Sequence, residues 1–138
     1  MQQDKHTDLY RFKLGICDFE NYWGERLVSV EIIHFLSGIL NRKEQYSVSK
    51  TIVDIADKTK VYHALSFPHL NGIAENYDYW RVKITTESGK TYKSQNRFYC
   101  SLSESDNNKV ILGVNGEAKT LYVAFPSSSG CSTPLVLV

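Results

Sequence analysis

The chain lacks most features that announce a function. Its three cysteines, Cys17, Cys100 and Cys131, stand far apart with no Cys-x-x-Cys pair, which fits neither a zinc site nor a disulfide-dense scaffold. Buried thiols are the expectation, with one disulfide plus one free thiol as the alternative. The eight glycines are scattered singly, so there is no phosphate loop or dinucleotide fingerprint. There is no Gly-x-Ser-x-Gly and no Asp-x-Asp-x-Asp, and nothing selects one pairing among the cysteines and the four histidines. Those absences argue against hydrolase, calcium and thiol chemistry. A non-catalytic chain with no cofactor and no metal is expected. The formal charge is only +1 and is spread evenly over both halves, so no global field draws the chain to nucleic acid. No apolar run approaches the length of a membrane span, and Met1 to His6 has no apolar core. The expectation is a soluble chain, cytoplasmic or exported by a leaderless route.

Also missing is any helical period of useful length; what the sequence has instead is alternation. A 42% hydrophobic content is enough to fill one core at this length. Residues 1–7 read as a disordered N-terminus and 8–138 as one β-sandwich domain. Asp8 to Cys17 alternates as a first strand that ends in the loop Asp18 to Glu25. Leu27 to Leu36 is apolar on both faces, the pattern of a central strand, with Val28, Val30 and Ile32 on one side and Leu27, Ile33 and Phe35 on the other. Tyr46 to Ala56 and Val61 to Phe67 flank the turn Asp57-Lys58-Thr59 and read as a hairpin with His63 on the apolar face. Pro68 should end that ladder ahead of the Asn71-Gly72 turn. Trp80, Val82 and Ile84 form the next inward row, closed by a turn at Glu87 to Lys90, and Phe98, Cys100 and Leu102 follow. Val110, Leu112 and Val114 turn back at Asn115-Gly116 into Leu121, Val123 and Phe125, and Leu135 to Val138 reads as a last strand. About nine or ten short strands predict an all-β protein, an antiparallel β-sandwich of jelly-roll or Ig-like topology, with a small β-barrel as second choice. The order Cys17, Trp80, Cys100 matches antibody-type domains superficially, but too many strands intervene for the usual placement.

Two short segments carry the best candidate site. Glu20-Asn21-Tyr22-Trp23 and Glu75-Asn76-Tyr77-Asp78-Tyr79 repeat a Glu-Asn-Tyr triplet ahead of a strand-like run. Carbohydrate recognition needs an aromatic surface for the apolar face of a sugar and carboxylate or amide groups for its hydroxyls, and both segments supply these. If both lie on one rim of the sandwich, they form one composite surface for a glycan or a protein partner. The competing expectation makes Trp23 and Trp80 core plugs while the Glu and Asn side chains satisfy turn backbone groups. An alternative function uses Ile39 and Leu40 beside Arg42 and Lys43 as an apolar tip for an anionic membrane surface; the competing expectation tucks both aliphatics into the core. A basic stripe of Arg81, Lys83, Lys90, Lys93 and Arg97 between Tyr79 and Tyr99 could follow a single-stranded nucleic acid, but reads better as a solvated, edge-protecting face. Asp54, Asp57 and Glu104 to Asn108 read as solubilising turns. A third class is an assembly subunit that pairs through Leu135 to Val138; the oligomeric state is not encoded in any motif. In size and apparent all-β content the chain resembles the aegerolysin group of lipid-binding β-sandwich proteins. It shares no motif with them, and no residue roles follow.

Overall fold

The alternating segments build two stacked sheets. The computed structural model describes residues 12–70 and 77–138. The expected N-terminal tail, the start of the first strand at Asp8 and the Asn71-Gly72 turn lie outside the described residues. One sheet, A, contains β1 (Phe12–Tyr22), β4 (Thr59–Leu70), β8 (Lys109–Asn115), β9 (Thr120–Ala124) and β10 (Cys131–Pro134), in the order β10-β9-β8-β1-β4. The other, B, contains β2 (Leu27–Ser37), β3 (Gln45–Ile55), β5 (Tyr77–Thr86), β6 (Thr91–Lys93) and β11 (Val136–Leu137), in the order β11-β6-β5-β2-β3, with β7 (Phe98–Tyr99) also paired to β5. Among the described residues every pairing is antiparallel except β1 with β8, which run parallel. The protein is an all-β sandwich. It is not a barrel, because β4 and β10 bound sheet A while β3 and β11 bound sheet B.

The core lies between the sheets. Cys17 and Phe19 of β1, Leu112 and Leu121 of the β8–β9 hairpin, and Phe67 of β4 meet Val30 and Ile32 of β2 and Trp80, Val82 and Ile84 of β5. Each such side chain, fully buried, contributes about 1.5–3 kcal/mol of apolar transfer. Trp80 also satisfies its one polar atom, donating from Nε1 to the Cys100 carbonyl at 2.8 Å. Burial pushes the Cys17 thiol up to about 12, with Leu112 backbone hydrogen bonding opposing it, so it packs as a small apolar group. Cys100 and Cys131 form a disulfide. It ties the segment after β7 to the start of β10, across the two sheets, and realises the alternative of one bridge plus one free thiol.

Several local expectations are corrected. β3 and β4 are not a hairpin: β3 pairs with β2 and β4 with β1, so the intervening turn carries the chain from one sheet to the other. Alternation specifies which face a residue takes and leaves the partner strand open. His63 is exposed rather than inward. Between Cys17↔Leu65 and Phe19↔Val61 the register slips, and the extra β4 residues form a bulge with His63 at φ 57°. Pro68 sits inside β4 opposite Leu14, tolerated because β4 is an edge strand. β1 runs on through Asp18 to Tyr22 where a loop was expected. A register shift between Leu27 and Ser29 turns Val28 out and Leu27 in. Asn115-Gly116 does begin the β8–β9 turn, but the left-handed residue there is Lys119. Gly116 is required for another reason, since a Cβ there would overlap the Trp23 carbonyl.

Candidate functional site

The two Glu-Asn-Tyr segments lie at opposite ends of the sandwich. β2 and β5 are antiparallel, with Leu27 opposite Thr86 and Ser37 opposite Tyr77. Trp23, just ahead of Leu27, is therefore separated from Tyr77 by roughly 30 Å of strand at about 3.3 Å per residue. The composite rim is not formed. Within the first segment Asn21 is fully buried; its Nδ2 donates to the carbonyls of Glu25, Ile55 and Ala56, and its Oδ1 accepts the Trp23 N–H at 2.9 Å. Asn21 is thus the clamp of the β3–β4 crossing, a backbone-satisfying role. Trp23 is a core plug with Tyr92 4.8 Å away and the Lys119 ammonium over its ring. Glu20 accepts the Tyr122 hydroxyl at 2.7 Å and pairs with Lys60 at 3.5 Å. Of this segment only Tyr22 stands substantially in solvent, at 49% exposure.

In the second segment Glu75 and Asn76 lie outside the described residues. Asp78 is fully buried on the same face as Trp80, and four donors converge on it. His34 Nε2 lies 2.7 Å from Oδ1, while His69 Nδ1 at 3.0 Å, the Ser101 hydroxyl at 3.1 Å and the Leu102 N–H at 3.1 Å meet Oδ2. Burial disfavours the ionised carboxyl, but the bonds from His34 and His69 outweigh it and hold Asp78 at about 2. An ionised carboxylate only accepts, so both imidazoles donate, His34 through Nε2 and His69 through Nδ1. Burial lowers the pKa of His34, opposed by its bond to Asp78, and the neutral ring packs 4.4 Å from Phe67 and 4.7 Å from Trp80 with Nδ1 lacking a partner. This cluster joins β2, β4, β5 and the segment after β7. Its carboxylate is saturated by protein donors and the cluster is buried between the sheets, so it reads as a polar element of the core. Among the described residues no group of three or more His, Cys, Asp or Glu side chains is placed to hold a metal ion.

Tyr79 is covered as well. On the outer face of sheet B it stacks on Phe35 at 5.3 Å and lies under the Arg97 guanidinium at 4.5 Å. Arg97 also donates to the Ser37 hydroxyl and to the Gly38 and Arg42 carbonyls, so it fastens the loop that follows β2. Tyr77 is half-buried with Tyr99 5.6 Å away. The fastened loop holds Ile39 and Leu40 out at 67% and 88% exposure, with Arg42 and Lys43 exposed beside them, so the two aliphatics do not tuck into the core. The basic stripe is likewise divided, with Arg81 forked onto Glu44 and Arg97 spent on the loop. The acidic turns are solved internally: Asp54 pairs with Arg26, Asp57 accepts the Gly24 N–H, and Asp106 accepts from Ser103, Ser127 and Ser128. Val136, Leu137 and Val138 are exposed.

Among the described residues, a concavity that could seat a ligand lies elsewhere. A groove of about 480 Å³ crosses β4, β1, β8 and β9 on the outer face of sheet A. Its apolar surface comes from Ile16, Ile111, Ala124, Phe125 and Pro126, and its polar groups are Asp18, Tyr62, His63 and Lys109. The β1–β4 bulge makes it. The Asp18 carboxylate accepts the His63 N–H at 2.8 Å, which holds the left-handed backbone and throws Tyr62 out to 74% exposure. Strained non-glycine backbone of this kind concentrates where a fold positions a ligand. Lys60 lies 5.4 Å from the Tyr62 ring centre. None of the groove residues was a site candidate in the sequence, where His63, Val110 and Phe125 were expected inside. No protein-family model matches this chain, and no curated protein matches it in sequence, so the likeness to aegerolysins rests on size and strand content alone.

Proposed function

We propose that the protein is a non-catalytic binding module whose ligand seat is the groove on the outer face of sheet A, and that the ligand is a glycan. The observation that carries this reading is the juxtaposition of an exposed tyrosine, an apolar floor and a few convergent polar groups in a concavity of about 480 Å³, the size and make-up of small-ligand sites. Tyr62 offers a ring face to a sugar, while Asp18, His63 and Lys109 offer an acceptor and donors to its hydroxyls. On a glycan array, Tyr62→Ala should weaken retention at least about tenfold and leave the melting temperature unchanged, while Tyr99→Ala at the sandwich end retains binding. Retention lost with Tyr99→Ala alone would return the site to the end loops. Full retention by Tyr62→Ala, or no glycan retained by the natural chain, would remove the groove reading.

A second reading is favoured by the exposure of Ile39 and Leu40 beside Arg42 and Lys43 on a loop fastened by Arg97. Aliphatic tips flanked by cations dip into anionic interfaces. In flotation with anionic vesicles at low salt, a membrane-targeted protein would rise with the lipid and Ile39→Ser with Leu40→Ser would abolish this; failure of the natural chain to float would end the idea.

A further inference from the structure

On the outer face of sheet B, the opposite side of the sandwich from the groove, Lys83 of β5 and Lys93 of β6 are direct register partners. Like charges placed opposite one another across an antiparallel pair destabilise it, and a fold usually relieves them with a carboxylate. Here it does not. Glu31, the β2 register partner of Lys83, forms no ion pair with it within 4 Å among the described residues. Glu44 is occupied by Arg81, at 3.0 and 3.4 Å. Lys83, Lys93, Arg81 and Asn96 line a notch of about 140 Å³ together with Glu31, Ile33, Val82 and Ser94.

We propose that this notch binds one tetrahedral oxyanion, the phosphate or sulfate group of an ester or the free ion. The notch is too small for a chain of rings but has room for one such group. Arg81 already spends its planar fork on Glu44, so the side-by-side recognition that suits a carboxylate is not on offer. Two compact ammonium groups on flexible stems are point charges, which suit a dense, multiply oxygenated anion. Ser94 contributes shape only, since its hydroxyl is committed to the Val82 N–H and carbonyl. The ligand neutralises the Lys83–Lys93 repulsion, in competition with the Glu31 carboxylate of the same notch.

The test is a two-dimensional amide NMR titration of the full chain with sodium phosphate and, separately, sodium sulfate, with chloride holding the ionic strength fixed. Saturable shifts centred on Lys83, Lys93 and Asn96 are expected, with acetate giving none. Lys83→Gln and Lys93→Gln should each weaken binding by roughly tenfold, the loss of one charge-assisted hydrogen bond. Glu31→Gln, which removes the competing carboxylate, should tighten it; a lysine pair with a merely solubilising role would not respond. Shifts that never saturate, that chloride or acetate reproduces, or that both lysine variants leave unchanged would overturn the site. Phosphate and sulfate binding equally marks a general oxyanion seat, and a preference between them names the ester.

Discussion

Asp78 and Asp106 are both buried carboxylates, and they are satisfied by different chemistry. Asp78 lies deep between the sheets and accepts from two imidazoles, a serine hydroxyl and one backbone N–H. Asp106 ends the short 3-10 turn Glu104–Asp106 and accepts from the hydroxyls and N–H groups of Ser103, Ser127 and Ser128. Burial opposes ionisation at both sites, and the hydrogen bonds prevail at both, holding each below the usual carboxylate range. The serine cage contains no imidazole, whereas the Asp78 cage contains two. Asp106 therefore fixes a loop through hydroxyls and backbone groups, while Asp78 ties the junction of β2, β4 and β5 to His34, whose pKa burial lowers.

Truncation should separate the two most strongly. Asp78→Ala leaves buried donors on His34, His69, Ser101 and Leu102 without an acceptor and should cost about 3–5 kcal/mol in urea unfolding. Asp106→Ala should cost less, about 1–3 kcal/mol, with faster amide exchange confined to Ser103, Ser127 and Ser128. Equal losses would erase the contrast. A smaller effect comes from acid. The folded pKa of His34 lies below its ordinary value, so its contribution is complete above about pH 6.5 and is lost as pH falls through the folded value. Asp78, lowered to about 2, and Asp106 keep theirs until the pH drops below about 4. Stability should thus decline between pH 7 and 5 in the natural chain, and His34→Gln, which can still donate to Asp78, should flatten that slope. An unchanged slope would show that this junction does not sense pH.

The fold was legible in the sequence because alternation survives wherever a strand has one wet face. Trp80, Val82 and Ile84 were read as inward from period alone, and so were Val110, Leu112 and Val114. Carrying the β5 alternation two residues further back places Asp78 on the Trp80 face; treating 75–79 as loop hid it, although His34 shares the Val30 and Ile32 face by the same parity. Partner choice was not legible, since nothing local distinguishes a hairpin at Asp57–Lys58 from a crossing between sheets. The groove was invisible for a related reason. Its residues come from four strands, and a register slip that period-two reasoning forbids is what turns Tyr62 and His63 outward. The repeated Glu-Asn-Tyr triplet misled because Asn21 and Asp78 answer to buried backbone and imidazole groups rather than to solvent.

The parallel pairing of β1 with β8 also sets a timetable. Ile16 lies opposite Lys109, so the middle of sheet A cannot close until most of the chain exists. At synthesis rates of about 5–20 residues per second, β1 waits on the order of ten seconds for its neighbour. During that interval β4 is its only sheet A partner, and one flank of β1 is an open template for other strands. Closing so distant a pair also slows refolding of the full-length chain. Closure of sheet A is thus governed by when β8 and β9 arrive rather than by how well the N-terminal strands pack.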